Sequence, residues 1–182
     1  MATVPVQTAG RIAIPLAAGA AVAVVLGVYG RIHEPTGVAV NVAGFSSPQS
    51  VKAWLATLAL VLALVQVVSA LALFGHLRPL AGRPWIGPLH RWSGRAAVAV
   101  TLPVVAHCLY ALGLQYDQPR VLIHSLLGCI FYGAFATKML TLSRDDAPRW
   151  LLPVIGGVVF AGLVGLWLTS SLWFFTTFGI IR

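Results

Sequence analysis

Five apolar segments, each about as long as a membrane is thick, constrain this chain more than any other feature. They cover approximately residues 12–29, 51–75, 90–114, 121–140 and 150–175. A helix needs about 20 mostly apolar residues to cross a bilayer, and all its backbone groups must bond internally because lipid offers no partner. The sequence therefore predicts an all-α membrane protein, with five transmembrane helices in a single transmembrane domain over residues 1–182.

The composition argues against a soluble protein. Hydrophobic residues make up 59% of the chain and charged residues 9%, whereas a soluble domain carries about 25% charged residues. A net charge of +8 could indicate nucleic-acid binding, but most basic residues lie between apolar runs, and no basic and aromatic run resembles a nucleic-acid surface. We expect membrane lipid, and no nucleic acid, as partner. The first segment follows Arg11 as in a signal peptide, but its apolar run is long for one, which predicts a retained helix.

The basic residues also predict the orientation. With the N-terminus inside, eight of them lie on the inner side and four on the outer side, which favours N-in and C-out. The inner set is Arg11, Arg78, Arg83, Arg91, Arg95, Lys138, Arg144 and Arg149, and the outer set is Arg31, Lys52, Arg120 and Arg182. A composition rich in Ala, Val, Gly and Arg is typical of high-GC bacteria, so we expect a multi-pass protein of the bacterial plasma membrane.

Two patterns predict how the helices pack. The connection at residues 115–120, QYDQPR, is short, which indicates antiparallel neighbours in helices three and four. Helix five carries Gly157, Ala161 and Gly165 at four-residue spacing, where a neighbouring helix can come close. Leucine at either glycine is therefore expected to push that helix away.

Two histidines near the outer side are the first candidate site residues. If helices three and four form a hairpin, the depths of His107 and His124 differ by roughly 4 to 5 Å. Two imidazoles at similar depth on adjacent helices could hold one haem iron between them in the bundle core. No CxxCH attachment motif occurs, so the expected cofactor is haem b bound without a covalent link.

A second pair flanks the inner loop. His76 and His90 lie at the ends of helices two and three, and His90 is 17 residues from His107, about 25 Å along a straight helix. This spacing permits two haems near opposite faces and does not require them, so we expect one or two. The haem-binding bundle would consist of four helices, the second to the fifth.

Glycines and basic residues close to these histidines suit the same site. Gly94 follows His90 by four residues and Gly128 follows His124 by four, on the same helix face, where a missing side chain leaves room for a porphyrin. Basic residues on the inner side could pair with haem propionates. These are Arg91 and Arg95, with Arg78, Arg83 and Lys138.

Other interpretations of the histidines stay open. His107 and His124 could be packed and bonded to a hydroxyl or carbonyl on another helix, and His76 and His90 could be solvated interfacial residues. His33, beside Glu34, suits a loop residue, or a proton acceptor or metal contact on the outer face. Together with His107 and His124, two cysteines at comparable depth suggest a copper or zinc site. They are Cys108 and Cys129.

Three stretches carry a resemblance to known families: HRWSGR, LPVVAHCLYALG and HSLLGCIFYGAFATKM. They resemble a family of small actinobacterial membrane proteins with no assigned function. More loosely, residues 75–175 are similar to transmembrane b-type cytochromes, of the ascorbate-reducible and ferric-reductase-like types. In those cytochromes, histidines on a four-helix core bind two haems and carry electrons across the membrane. The resemblance implies four ligands, His76, His90, His107 and His124, although the spacing within helix three is longer than usual there.

The expected function is electron transfer between the quinol pool and a redox partner protein. The alternatives are a haem-free structural or assembly subunit of a respiratory membrane complex, and a metal transporter that uses histidine and cysteine. The sequence contains none of the motifs of soluble enzymes, such as HExxH, GxSxG, CxxC or a phosphate-binding loop.

Overall fold

The computed structural model describes residues 5–180, with side chains from Gly10 onward, and it is all-helical in that range. Arg182, predicted to lie on the outer side, is outside the described residues. Five helices are long and apolar enough to cross a membrane. The elements are α1 (Pro5–Ile32), α2 (Pro48–Leu73), α3 (Ile86–Ala106) with a π-helical turn (His107–Leu112), α4 (Pro119–Leu142), and α5 (Leu151–Trp167) with a π-helical turn (Leu168–Leu172) that leads into α6 (Trp173–Phe178).

The observed helices overlap all five predicted segments, but their ends differ because turn chemistry extends them past the apolar runs. α2 begins at Pro48, and the side chain of Ser47 accepts a hydrogen bond from the Ser50 N–H at 3.1 Å. Proline suits a first helical position because no bonded N–H is needed there. α4 likewise begins at a proline, Pro119. In the predicted orientation, the outer end of the bundle carries residues 33–47 and 113–118, and the inner end carries residues 74–85 and 143–150.

The helices pack in an order that differs from the predicted hairpin. α2 packs against α3, while α4 lies between α1 and α5. Within residues 5–180, α3 and α4 are not a closely packed pair, although the Tyr132 hydroxyl donates to the Thr101 hydroxyl at 2.9 Å across the gap between them. The expectation of close neighbours was wrong because both packing faces of α4 are used by other helices. The first helix is therefore part of the bundle.

Small residues bring α1 and α4 into close contact. A Cβ atom placed on Gly133 would lie 2.6 Å from the Gly19 carbonyl oxygen and 2.9 Å from the Ala23 Cβ. Gly19, Ala23 and Gly27 repeat every four residues, and so do Cys129, Gly133 and Thr137 on α4. This is the pattern that lets membrane helices approach closely. It is visible in the sequence, although the predicted packing did not include it.

Of the two glycines on α5 that were predicted to contact a neighbouring helix, one does and one does not. A Cβ on Gly165 would come within 2.8 Å of Leu127 Cδ1, and one on Gly162 within 3.6 Å of Phe131 Cβ, so α5 contacts α4 there. A Cβ on Gly157 would meet no atom within 4 Å. Gly157 was assigned wrongly because the contact follows the three-residue spacing of Gly162 and Gly165.

Leucine at Gly165 is expected to lower the stability of the purified protein, because its side chain would overlap Leu127. Overpacking of this kind typically costs about 1–3 kcal/mol. Gly157→Leu is the matched control on the same helix, and it should leave the unfolding temperature close to that of the wild type. Equal destabilisation by the two variants in a thermal unfolding assay in detergent would contradict this assignment.

A cluster of charged side chains connects α1 to the loop at residues 143–150, at the inner end of the bundle. Asp146 lies 3.4 Å from the Arg11 guanidinium and 3.2 Å from that of Arg144. The hydrogen bond from Arg144, with the nearby positive charges, holds the pKa of the Asp146 carboxyl below its usual value of 3.8. This stabilisation is present above that value and is lost as the pH falls through the lowered pKa. Both side chains of the Arg11–Asp146 pair are well exposed, so the effect on stability is small.

Candidate functional site

Two of the predicted histidines lie at the same depth near the outer end. His107 lies five residues before the end of its span at Leu112, and His124 lies five residues after the start of α4 at Pro119. Each is therefore about 7 to 8 Å inside its helix end by helical rise. His107 is also the first residue of one π-helical turn. Turns of this kind are rare and often occur at functional sites.

The ring of His124 is held by a threonine in the other π-helical turn. His124 Nδ1 lies 2.9 Å from the hydroxyl of Thr169, and that hydroxyl lies 2.7 Å from the carbonyl oxygen of Gly165. Because the hydroxyl has a single proton and donates it to the carbonyl, it accepts the N–H of the imidazole. Nδ1 therefore carries the proton, and Nε2 keeps a lone pair. Ligand histidines in metal sites are commonly oriented in this way.

His107 differs from His124 in its surroundings. Its Nε2 atom is buried and has no hydrogen-bond partner within the described residues. A buried polar atom without a partner is unusual and indicates a missing ligand or water. The next residue, Cys108, lines three small cavities in the gap between α3 and α4, and His124 lines all three as well. His107 lines none of these three cavities.

His90 repeats the arrangement of His124 at the inner end. Its Nδ1 lies 2.8 Å from the hydroxyl of Ser69 on α2, and that hydroxyl donates to the Val65 carbonyl at 2.6 Å. By the same proton count, Nδ1 of His90 carries the proton and Nε2 is free to accept or ligate. Gln66 strengthens the attachment, because its amide donates to the His90 carbonyl and, at 2.7 Å, to the Ser93 hydroxyl.

His90 borders a cavity much larger than those beside His124. The cavity measures about 540 Å³ and lies among α2, α3, α4 and α5, with a lining that is almost entirely aliphatic and aromatic. Its volume falls in the range of about 300–1,000 Å³ that is typical of ligand sites. Representative lining residues are Val67, Val98, Phe131, Phe135, Phe160 and Leu163.

The other residues predicted for the inner site lie elsewhere. His76 is exposed in the loop after α2 and does not line the cavity of His90. Arg91 and Arg95 are also exposed, and the Arg95 guanidinium stacks on Trp92 at 5.0 Å. Neither arginine lines the cavity, so the structure does not place them beside a ligand there. An arginine stacked on a tryptophan is typical of a membrane interface.

The two glycines near the histidines have different surroundings. Gly94 makes room for a protein group, since a Cβ there would lie 2.9 Å from the Gln66 amide oxygen. Gly128 is open, because its nearest neighbour would be Leu166 Cδ2 at 3.9 Å, and it lines two of the cavities at His124. Gly94 also lines the large cavity of His90, so each glycine borders the cavity of its histidine, as the sequence suggested.

His33 belongs to a contact between α1 and α3. Its ring stacks between Tyr29 and Tyr110, at centroid distances of 4.9 and 5.2 Å, and its Nε2 lies 3.1 Å from the Tyr110 carbonyl oxygen. The neighbouring Glu34 is exposed. These contacts give His33 a structural role at the edge of the bundle.

The hydroxyl and amide partners of the histidines were not predicted from the sequence. Gln66 and Ser69 lie in the otherwise apolar run of α2, and Thr169 lies in that of α5. Polar residues inside a span commonly bond across helices, so they could have been paired with the histidines in advance. No group of three or more His, Cys, Asp or Glu suited to a metal ion occurs in the described part of the chain.

The fold and site thus define a five-span helical protein with two part-buried histidines, His90 and His124, that border cavities at opposite ends. The chain belongs to a family of unknown function, DUF6529, whose sequence model matches residues 12–182. No curated protein and no solved structure matches the chain.

Proposed function

We propose that this protein is a b-type cytochrome of the bacterial plasma membrane, with a haem site near each end of the bundle. The observation that carries the proposal is the shared geometry of His90 and His124. Each ring donates its Nδ1 proton to a hydroxyl on a neighbouring helix, and each borders a cavity. A neutral imidazole with a free Nε2 is the form that binds haem iron.

At the inner site, His90 would be the iron ligand, and the volume of the cavity beside it supports this role. The cavity of about 540 Å³ has an apolar lining that suits the faces of a porphyrin. Ser69 would fix the ring, and Gln66 would hold the backbone of His90 against α2. The exposed position of His76 leaves it without support as a second ligand.

At the outer site, His124 and His107 would be the ligands, and their equal depth supports the pair. The partnerless Nε2 of His107 is accounted for if it binds an iron there. The two cavities that border His124, Cys108 and Gly128 would have to join, and the loose contact between α3 and α4 allows this.

Bound haem would supply one-electron chemistry between ferric and ferrous iron. The protein would orient the iron ligands, exclude water from their surroundings, and set the reduction potential through burial and through the hydrogen bonds at Nδ1. Electrons would pass between the quinol pool and a partner redox protein or the subunits of a respiratory complex.

The test is an absorption spectrum of the full chain, expressed with ample haem and purified in detergent, before and after dithionite. We expect a b-type spectrum and two haems per chain, with the outer haem low-spin because it has two histidine ligands and the inner haem high-spin because it has only His90. Both should be extractable with acid acetone. A colourless protein would reject the proposal and favour a haem-free structural or assembly subunit, while bound zinc or copper in the same sample would favour a metal transporter.

A further inference from the structure

A small cavity at the outer end contains basic side chains and no acid. It measures about 180 Å³ and lies among the outer ends of α2, α3, α4 and α5. Lys52 and Arg120 line it, together with Gln49, Gln115 and His124, and no carboxylate is among its lining residues. The acidic residues of the adjoining loops, Glu34 and Asp117, are exposed and do not reach it. Two positive charges there have no counter-ion from the described chain.

The two basic side chains differ in whether they have interaction partners within the protein. Arg120 donates to the Thr169 carbonyl, and its guanidinium lies 3.8 Å from the ring centroid of Trp173. Lys52 is partly buried, and its ammonium has neither a hydrogen bond nor an ion pair within the described residues. An ammonium carries three donors and no acceptor. Its donors are therefore open to groups from outside the described residues.

The N-termini of two helices increase the positive potential in this cavity. α2 and α4 both begin beside the cavity, and neither has an acidic residue in its first turn. Helix N-termini carry a partial positive charge, and cations close to them are disfavoured unless an anion is present.

We propose that this outer cavity binds an oxyanion, a phosphate group, with Lys52 as its principal contact and Arg120 beside it. Lysine binds phosphate as a point charge, and the free N–H groups of arginine add directed hydrogen bonds. The group could belong to a lipid headgroup or to free phosphate. This inference goes beyond the proposed haem binding and does not depend on it, because it rests on the charges alone.

The experiment measures thermal unfolding of the full-length protein by tryptophan fluorescence. In one arm, inorganic phosphate is added to detergent-solubilised protein and compared with chloride at equal ionic strength. In the other arm, bilayers of phosphatidylglycerol are compared with bilayers of phosphatidylcholine. We expect one of the two phosphate sources to raise the unfolding temperature. In Lys52→Gln the apparent affinity for that source should fall about tenfold or more.

Two further variants control the result. Lys52→Arg keeps the charge and should bind like the wild type, and Lys138→Gln removes a cation near the inner end and should also bind normally. Stabilisation by inorganic phosphate would identify a free anion, and stabilisation by phosphatidylglycerol alone would identify a lipid. If neither source stabilises the protein, or if Lys52→Gln responds like the wild type, the proposal is overturned.

Discussion

His124→Ala is expected to remove one of two haems, and His90→Ala to remove the other, leaving the double variant colourless. Each variant deletes an oriented imidazole whose Nε2 would be bound to iron, and no other histidine lines the inner cavity. The measurement is haem content per chain by the pyridine haemochrome assay, together with the low-spin bands of the outer haem in the reduced spectrum. The outer haem should also lose its low-spin spectrum in His107→Ala, because that variant removes the second proposed ligand.

Matched variants separate ligation from damage to the fold. His33→Ala and His76→Ala remove histidines that border neither site, and both should keep full haem content. Thr169→Val keeps the shape of the side chain but removes the acceptor for the His124 Nδ1 proton, so it should weaken haem binding about 10- to 100-fold. Full haem content with unchanged ligation in both His90→Ala and His124→Ala would leave the cytochrome proposal without support.

Gly133→Ala should strongly destabilise the bundle, although it adds only one methyl group. The added Cβ would lie 2.6 Å from a backbone oxygen of α1, and backbone cannot move aside as a side chain can. The two helices would have to separate, at a cost near the upper end of the 1–3 kcal/mol range typical of overpacking, or about 3 kcal/mol. Thermal unfolding of the purified protein measures the effect.

Gly128→Ala is the control on the same helix. Its Cβ would meet only Leu166 at 3.9 Å, an ordinary contact. Since alanine favours a helix over glycine by roughly 0.5–1 kcal/mol, Gly128→Ala should be neutral or slightly stabilising. The two variants should therefore shift the unfolding temperature in opposite directions or by very different amounts, and equal shifts would show that the α1–α4 contact is loose.

The sequence alone determined the class of fold and the five spans. Long apolar runs permit only helices in lipid, because every backbone group must be bonded internally. It also drew attention to His107 and His124, since an imidazole inside an apolar run needs a partner or a function. The similar depth of His107 and His124 followed from helical rise and loop length, and in the structure each lies five residues from the outer end of its span.

Only the tertiary structure decided which faces of the helices meet. α4 packs between α1 and α5, so the predicted α3–α4 hairpin opens into a gap. Cys108, not His107, borders that gap, and the exposed faces of α3 carry Arg91 and Arg95 away from the inner cavity. The apolar pattern could not settle these points, because lipid and protein interior are equally apolar and hydropathy does not distinguish a lipid-facing side from a packed one. Which helix faces pack together is decided by close contacts between small residues and by hydroxyl-to-imidazole hydrogen bonds. Both kinds of contact depend on the shapes of several helices together.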